Sequence, residues 1–138
     1  MDTKAKILIV DDEPLILRSM QKTLLRAGYD VETGDNCTAG LELFEVAQES
    51  ERPFDMALLD LNMPNFEGRE ASGAGLELLS RLLEVRPDLP VVVLSAYDEV
   101  NKAREAVTRG ARNYCVKGRE QSLLEMIEKV LSTSTPES

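Results

Sequence analysis

The chain has 138 residues, a length that suits one domain around one hydrophobic core. Its 43% apolar and 30% charged residues exclude a disordered composition, and the absence of a membrane-length apolar run or an apolar leader sets the expectation of a cytoplasmic protein without membrane contact. A net charge of −9 argues against direct nucleic-acid binding by this segment, and the lack of any histidine removes histidine acid–base catalysis, most catalytic triads and histidine metal sites.

Apolar runs alternate with helical-period segments. KILIVD (6–11) predicts a buried strand that runs straight into Asp11, Asp12 and Glu13, then Pro14. LILRSMQKTLLRAG (15–28) predicts a helix with Ile16, Met20, Leu24 and Ala27 on one face, stopped at Gly28. YDVETG (29–34) reads as a short strand, and TAGLELFEVAQES (38–50) as a helix with Leu43, Phe44 and Ala47 inward. FDMALLDL (54–61) is a second strong strand, followed by the polar, small-residue stretch NFEGREASGAG (65–75). LELLSRLLEVR (76–86) predicts a helix closed by Pro87, PVVVLSA (90–96) an apolar strand, and DEVNKAREAVTRG (98–110) a helix ending at Gly110. ARNYCVK (111–117) closes the strand series, REQSLLEMIEKVL (119–131) is the last helix, and 132–138 is a polar tail or the start of a linker. Cys37 and Cys115 sit inside apolar patterns without metal-ligand spacing, so both are expected to be small buried hydrophobes.

Five β–α repeats in series, with strands such as VVVL lacking period-2 polarity, predict an α/β domain over 1–131. The expected sheet is parallel, five-stranded and doubly wound, with its five helices on both faces. Ligands of such sheets bind beyond the carboxyl ends of the strands. Those ends carry Asp11 and Asp12, then Asp60, then Ser95 followed by the small Ala96, then Lys117. Carboxylates about 4 Å apart repel by roughly 4 kcal/mol per pair at an effective dielectric near 20. A divalent ion relieves that repulsion, and all-oxygen donors suit Mg²⁺ or Mn²⁺. A carboxylate beside such an ion, with a lysine and a hydroxyl in reach, can attack phosphorus and form an acyl phosphate. The plainer readings are local: Asp-Asp-Glu as cap and first-turn acids of helix one, Glu13 above all, Ser95 as a helix cap, and Lys117 as a surface lysine.

The motifs ILIVDDEP, LLDLNMP, VVVLSA and GARNYCVK together resemble the receiver domain of bacterial two-component response regulators, from Lys6 to about Leu131. The resemblance implies a flavodoxin-like fold with strand order 2-1-3-4-5. It implies that Asp60 accepts a phosphoryl group from the phosphohistidine of a sensor histidine kinase or phosphotransfer protein. Asp11, Asp12 or both would hold Mg²⁺ with Asp60, and Asn62 would ligate it through its backbone carbonyl. Ser95 and Lys117 would contact the phosphoryl oxygens, and Tyr114 would be the switch aromatic. Asn62 and Tyr97 would flank the attacking water, with bulky Tyr97 expected to shield the acyl phosphate and slow hydrolysis. The missing histidine then comes from the partner.

Two departures stand out. Gly118 follows Lys117 where the family usually has a proline in a cis peptide, followed by an apolar residue where Arg119 stands here. A trans or mobile Lys117–Gly118 link is therefore expected, since a non-proline cis bond costs about 2.5–4 kcal/mol. The loop after strand three is several residues longer than the family pattern. Its Glu67, Arg69 and Glu70 read either as a tolerated surface insertion or as a lid or partner contact near Asp60.

The expected role is a signalling switch rather than an enzyme, with self-catalysed aspartyl phosphorylation and dephosphorylation only. Its output would be read around helix four, strand five and helix five, where Glu99, Lys102, Arg104, Glu105, Glu128 and Lys129 form a solvated face or a homodimer contact. Two other classes compete. A pseudo-receiver that binds a partner without phosphate has only Gly118 in its favour. A metal-dependent phosphatase would need a second acid–base Asp two residues after Asp60, where Asn62 stands.

Overall fold

The first strand shows how the sequence builds the layers. In the computed structural model, which describes residues 5–61, 63–64, 70–71, 74–95, 100–117 and 119–134, β1 (Lys6–Val10) is buried from Ile7 onward. Successive side chains of a strand point to opposite faces. Ile7 and Ile9 accordingly join one apolar cluster, with Met20, Leu24, Leu123 and Ile127. Leu8 and Val10 join the other, with Phe44, Leu78, Leu82 and Ala103. An all-apolar strand therefore needs a helical layer on each side.

Among the described residues the chain order is β1, α1 (Pro14–Arg26), β2 (Asp30–Gly34), α2 (Cys37–Gln48), β3 (Met56–Asp60), β4 (Met63–Pro64), β5 (Glu70–Ala71), α3 (Ala74–Val85), β6 (Val91–Ser95), α4 (Val100–Thr108), β7 (Asn113–Val116) and α5 (Glu120–Ser134). The main sheet runs β2-β1-β3-β6-β7 with every pairing parallel. Counting only its own strands, that is the order 2-1-3-4-5 of a flavodoxin-like fold. Helices α1 and α5 cover one face; α2, α3 and α4 cover the other. The central strands β3 and β6 are buried throughout, whereas the edge strands β2 and β7 are only partly so.

Local signals set the ends of the elements. Pro14 stands in the first turn of α1, where its missing N–H costs nothing. At the other end Gly28 takes φ 98°, a left-handed conformation open to glycine. The Gly28 N–H donates to the Leu25 carbonyl (3.0 Å) and the Tyr29 N–H to that of Leu24 (3.1 Å), while Tyr29 is buried beside Leu24. The Asn36 side chain accepts from the Ala39 N–H at 2.8 Å and starts α2. Cys37 and Cys115 are buried and outside any disulfide, as their apolar contexts predict.

Two differences from the sequence reading concern segments. The last helix runs to Ser134, three residues past the predicted end. A small antiparallel ladder, Met63 opposite Ala71 and Pro64 opposite Glu70, joins the residues just before the 65–75 stretch to residues within it. Two-residue strands carry no readable alternation, so sequence offered no signal for them. The rest of that insertion, including Glu67 and Arg69, lies outside the described residues, as do the side chain of Glu70, the residues Ala96 and Glu99, and the Lys117–Gly118 link. Among the described residues no helix is long and apolar enough to cross a membrane.

Candidate functional site

Parallel pairing brings the carboxyl ends of β1, β3, β6 and β7 to one edge, and the backbone continues the ladders into the site. The Asp11 N–H donates to the Gly34 carbonyl (3.1 Å), that of Leu61 to Leu94 (3.2 Å), and that of Lys117 to Ser95 (3.0 Å). These bonds fix where the side chains begin. Gly75, at the start of α3, completes the fit. A Cβ there would lie 2.5 Å from the Asp60 carbonyl oxygen and 2.6 Å from the Leu61 Cα, so only glycine lets α3 come this close.

Three polar side chains are buried at this edge: Asp11 (0% exposed), Asp60 (2%) and Ser95 (0%). Asp12 is half-buried and Glu13 exposed. Lys117 reaches in from the end of β7. Its Nζ lies 3.0 Å from Asp60 Oδ2, 3.3 Å from Asp11 Oδ2 and 2.5 Å from Glu13 Oε1. The Glu13 backbone N–H donates to Asp11 Oδ1 at 2.9 Å. Ser95 Oγ has no hydrogen-bond partner among the described residues, and a buried hydroxyl left so is costly unless something else fills the role.

One ammonium thus serves several carboxylates. Burial pushes the Asp11 carboxyl above its ordinary value, only partly offset by the Glu13 N–H and by Lys117. Burial alone would lower the Lys117 ammonium, but the Glu13 hydrogen bond and the charges of Asp60 and Asp11 win and hold it above the lysine range. The same acidic surroundings act on Cys37, whose thiol is pushed up to about 11 by burial and then by Glu77, Asp60 and Asp12.

Asp11, Asp12, Glu13 and Asp60 each offer a carboxylate oxygen, all within 4.8 Å of one another. Two of these acids are buried, the donors are all oxygen, and among the described residues one ammonium, that of Lys117, lies against them. A hard divalent cation such as Mg²⁺ or Mn²⁺ fits this donor set.

Of the residues singled out in the sequence, Asp11, Asp12, Asp60, Ser95 and Lys117 come together. Tyr114 does not touch the acidic group. It lies on β7 opposite Val93, half-buried against the apolar cluster under α2, α3 and α4. Asn62 and Tyr97 lie outside the described residues. Glu13 was read as a helix-capping acid. It occupies the N-cap position but makes no side-chain cap bond, and its carboxylate goes to Lys117 instead. A contact across 104 residues leaves no local trace in sequence.

Residues 7–128 match the family model of the response regulator receiver domain. The chain is 32% identical over 127 residues to the response regulator protein FleR of Pseudomonas aeruginosa, covering 91% of this chain and 24% of that protein. A receiver domain protein from Clostridium thermocellum superposes with a TM-score of 0.81 at 27% identity, over 94% of this chain and 96% of that one. The response regulator TrrA of Thermotoga maritima, solved in complex with Mg(2+)-BeF, superposes with a TM-score of 0.75 at 27% identity, over 92% and 99% of the two chains. This chain spans less than a third of the length of curated relatives such as FleR, 24% in that case. With its matched motifs, its sheet order and its acidic edge all in agreement, the chain belongs to the response regulator receiver domain family of two-component signalling.

Proposed function

We propose that this receiver domain is a phosphorylation-dependent switch with Asp60 as phosphoacceptor. One observation carries the reading: a carboxylate only 2% exposed, at the end of β3, with the Lys117 ammonium 3.0 Å from its Oδ2. In the reaction an Asp60 oxygen attacks the phosphorus of a phosphohistidine on a sensor kinase or phosphotransfer protein. The O–P bond forms as the P–N bond breaks, and the imidazole keeps the electron pair. Lys117 neutralises charge on the phosphoryl oxygens. The Ser95 hydroxyl donates to one of them, and Tyr114 turns inward as Ser95 moves. Water later attacks phosphorus, the Asp60 O–P bond breaks, and inorganic phosphate leaves. The chemistry is self-catalysed and resets the switch, so the role is signalling rather than turnover of a separate substrate.

Asp11, Asp12 and Asp60, with the backbone carbonyl of Asn62, would hold Mg²⁺ or, alternatively, Mn²⁺, which supplies positive charge against the carboxylates and the transferring group. The Mg(2+)-BeF complex of TrrA supports that reading. Asn62 and Tyr97 set the lifetime of the acyl phosphate, with bulky Tyr97 slowing its hydrolysis.

Receiver domains interact with histidine kinases and with output domains. For this chain we place the readout on α4, β7 and α5, in a cytoplasmic protein. That face offers a homodimer contact, and the net charge of −9 argues against nucleic acid as its direct partner. The receiver reading covers 1–131, with 132–138 a polar tail or the start of a linker.

The test is intact-mass analysis after incubation with acetyl phosphate, with and without Mg²⁺. A single phosphoryl adduct that needs Mg²⁺ and vanishes in Asp60→Asn is the expected result. An adduct that survives in Asp60→Asn would move the acceptor elsewhere, and no adduct on the unaltered chain would overturn the reading.

A further inference from the structure

An ammonium has three N–H donors. In Lys117 three carboxylates lie within reach of them: Glu13 at 2.5 Å, Asp60 at 3.0 Å and Asp11 at 3.3 Å. A phosphoryl group on Asp60 brings new acceptor oxygens to a cation with no donor to spare, so one contact must be given up. The three candidates are not equivalent. Asp11 and Asp60 are buried, and water cannot replace what they lose. The Glu13 side chain is 53% exposed, and water can solvate it at once. Nor does the Glu13 side chain hold the start of α1. Its backbone serves the helix start, with the N–H on Asp11 Oδ1 and the carbonyl accepting the Leu17 N–H at 2.9 Å. Its side chain makes no cap bond.

We infer that Glu13 is a positioning residue for the phosphoryl reaction, a counter-ion latch that draws the Lys117 ammonium toward the rim in the resting state and releases it when a phosphoryl group arrives. The inference rests on the proposed function of Asp60 and Lys117. It makes Glu13 a competitor of the phosphoryl group for one cation. The latch joins the start of α1 to the end of β7, so its opening gives phosphorylation a mechanical consequence at α1 as well as at α4, β7 and α5.

The test uses the whole chain in saturating Mg²⁺ and titrates beryllium trifluoride, a phosphoryl analogue, followed by amide NMR. Glu13→Gln keeps size and removes charge. Glu13→Asp keeps charge and shortens the reach to Lys117. Both variants are expected to bind the analogue about threefold more tightly, the scale of an exposed ion pair. The gain should shrink at high salt, which screens an exposed charge. A purely structural residue would show no salt-dependent gain. Unchanged or weaker binding in Glu13→Gln overturns the latch while leaving Asp60 as acceptor. Tighter binding in Glu13→Gln alone, with Glu13→Asp like the parent, also overturns it, since that would be through-space repulsion rather than contact. If the unaltered chain binds no analogue, the proposed function fails and takes the latch with it.

Discussion

The two edges of the main sheet handle charge in opposite ways. Where the strands begin, charges are paired close to one for one at the surface. Lys6 Nζ lies 3.2 Å from Glu32, the Lys6 N–H donates to Asp55 at 2.8 Å, and Arg52 meets Asp30 at 2.6 Å. The acids Glu32 and Asp30 keep 42% of their side-chain surface exposed. Where the strands end, Asp11 and Asp60 are buried and share one lysine with Glu13. The first arrangement closes an edge and does little else. The second gathers like charges around one ammonium among the described residues, an arrangement that stability alone does not favour. Such an arrangement is what marks this edge as the candidate functional site.

Four substitutions measure that contrast. Lys117→Met leaves two buried carboxylates without their cation, and without divalent ions it should cost about 3 kcal/mol, the scale of a broken buried pair. Denaturant unfolding at pH 7.5 would measure it. The penalty should shrink as pH falls and the acids protonate. A loss independent of pH would mean that lost packing, not charge, explains it. Gly75→Ala forces a methyl group into the Asp60 carbonyl oxygen and Leu61, and should cost about 2 kcal/mol. It should also slow adduct formation with acetyl phosphate, because the strand end itself must shift.

Asp11→Asn should do the reverse and raise Tm by about 3 °C at pH 7.5 without divalent ions, worth roughly 1 kcal/mol. The sign follows from the raised carboxyl. A group with a higher value in the fold than the ordinary 3.8 supports the fold fully below that value, and loses that support as pH rises through the raised one. At neutral pH wild-type Asp11 is therefore a burden, and the advantage of asparagine should fade in scans taken toward pH 4. A constant or absent advantage would contradict the account of burial. Glu32→Gln, at the opposite edge, should change stability by less than about 0.5 kcal/mol and leave phosphorylation untouched. An effect as large as that of Lys117→Met would erase the contrast between the edges.

Much of this was legible in the residues. Ile7 to Val10 and Val91 to Val93 read as doubly covered strands, and they are buried on both faces. Asp11, Asp12, Asp60, Ser95 and Lys117 were expected at one edge because parallel βα units put every strand end there; the four charged groups do meet, and Ser95 is buried at the end of β6 with its carbonyl accepting the Lys117 N–H. Glu13 and the β4–β5 ladder were not legible. A glutamate before Pro14 has the same local context whether it caps a helix or crosses to a lysine. The ladder binds two residues to two, too short to leave a period.

The sequence by itself determined the order of elements, the faces that must be buried and the residue types at each strand end. Hydrophobic periodicity and turn chemistry are properties of neighbouring residues, and they survive in the written chain. Only the tertiary structure decided how the charges are shared: that Lys117 divides itself among Glu13, Asp60 and Asp11, that Ser95 is buried without a partner among the described residues, and that Asp11 is desolvated. Those are outcomes of distance and burial between residues up to 106 positions apart, and electrostatic energy depends on both while sequence spacing records neither.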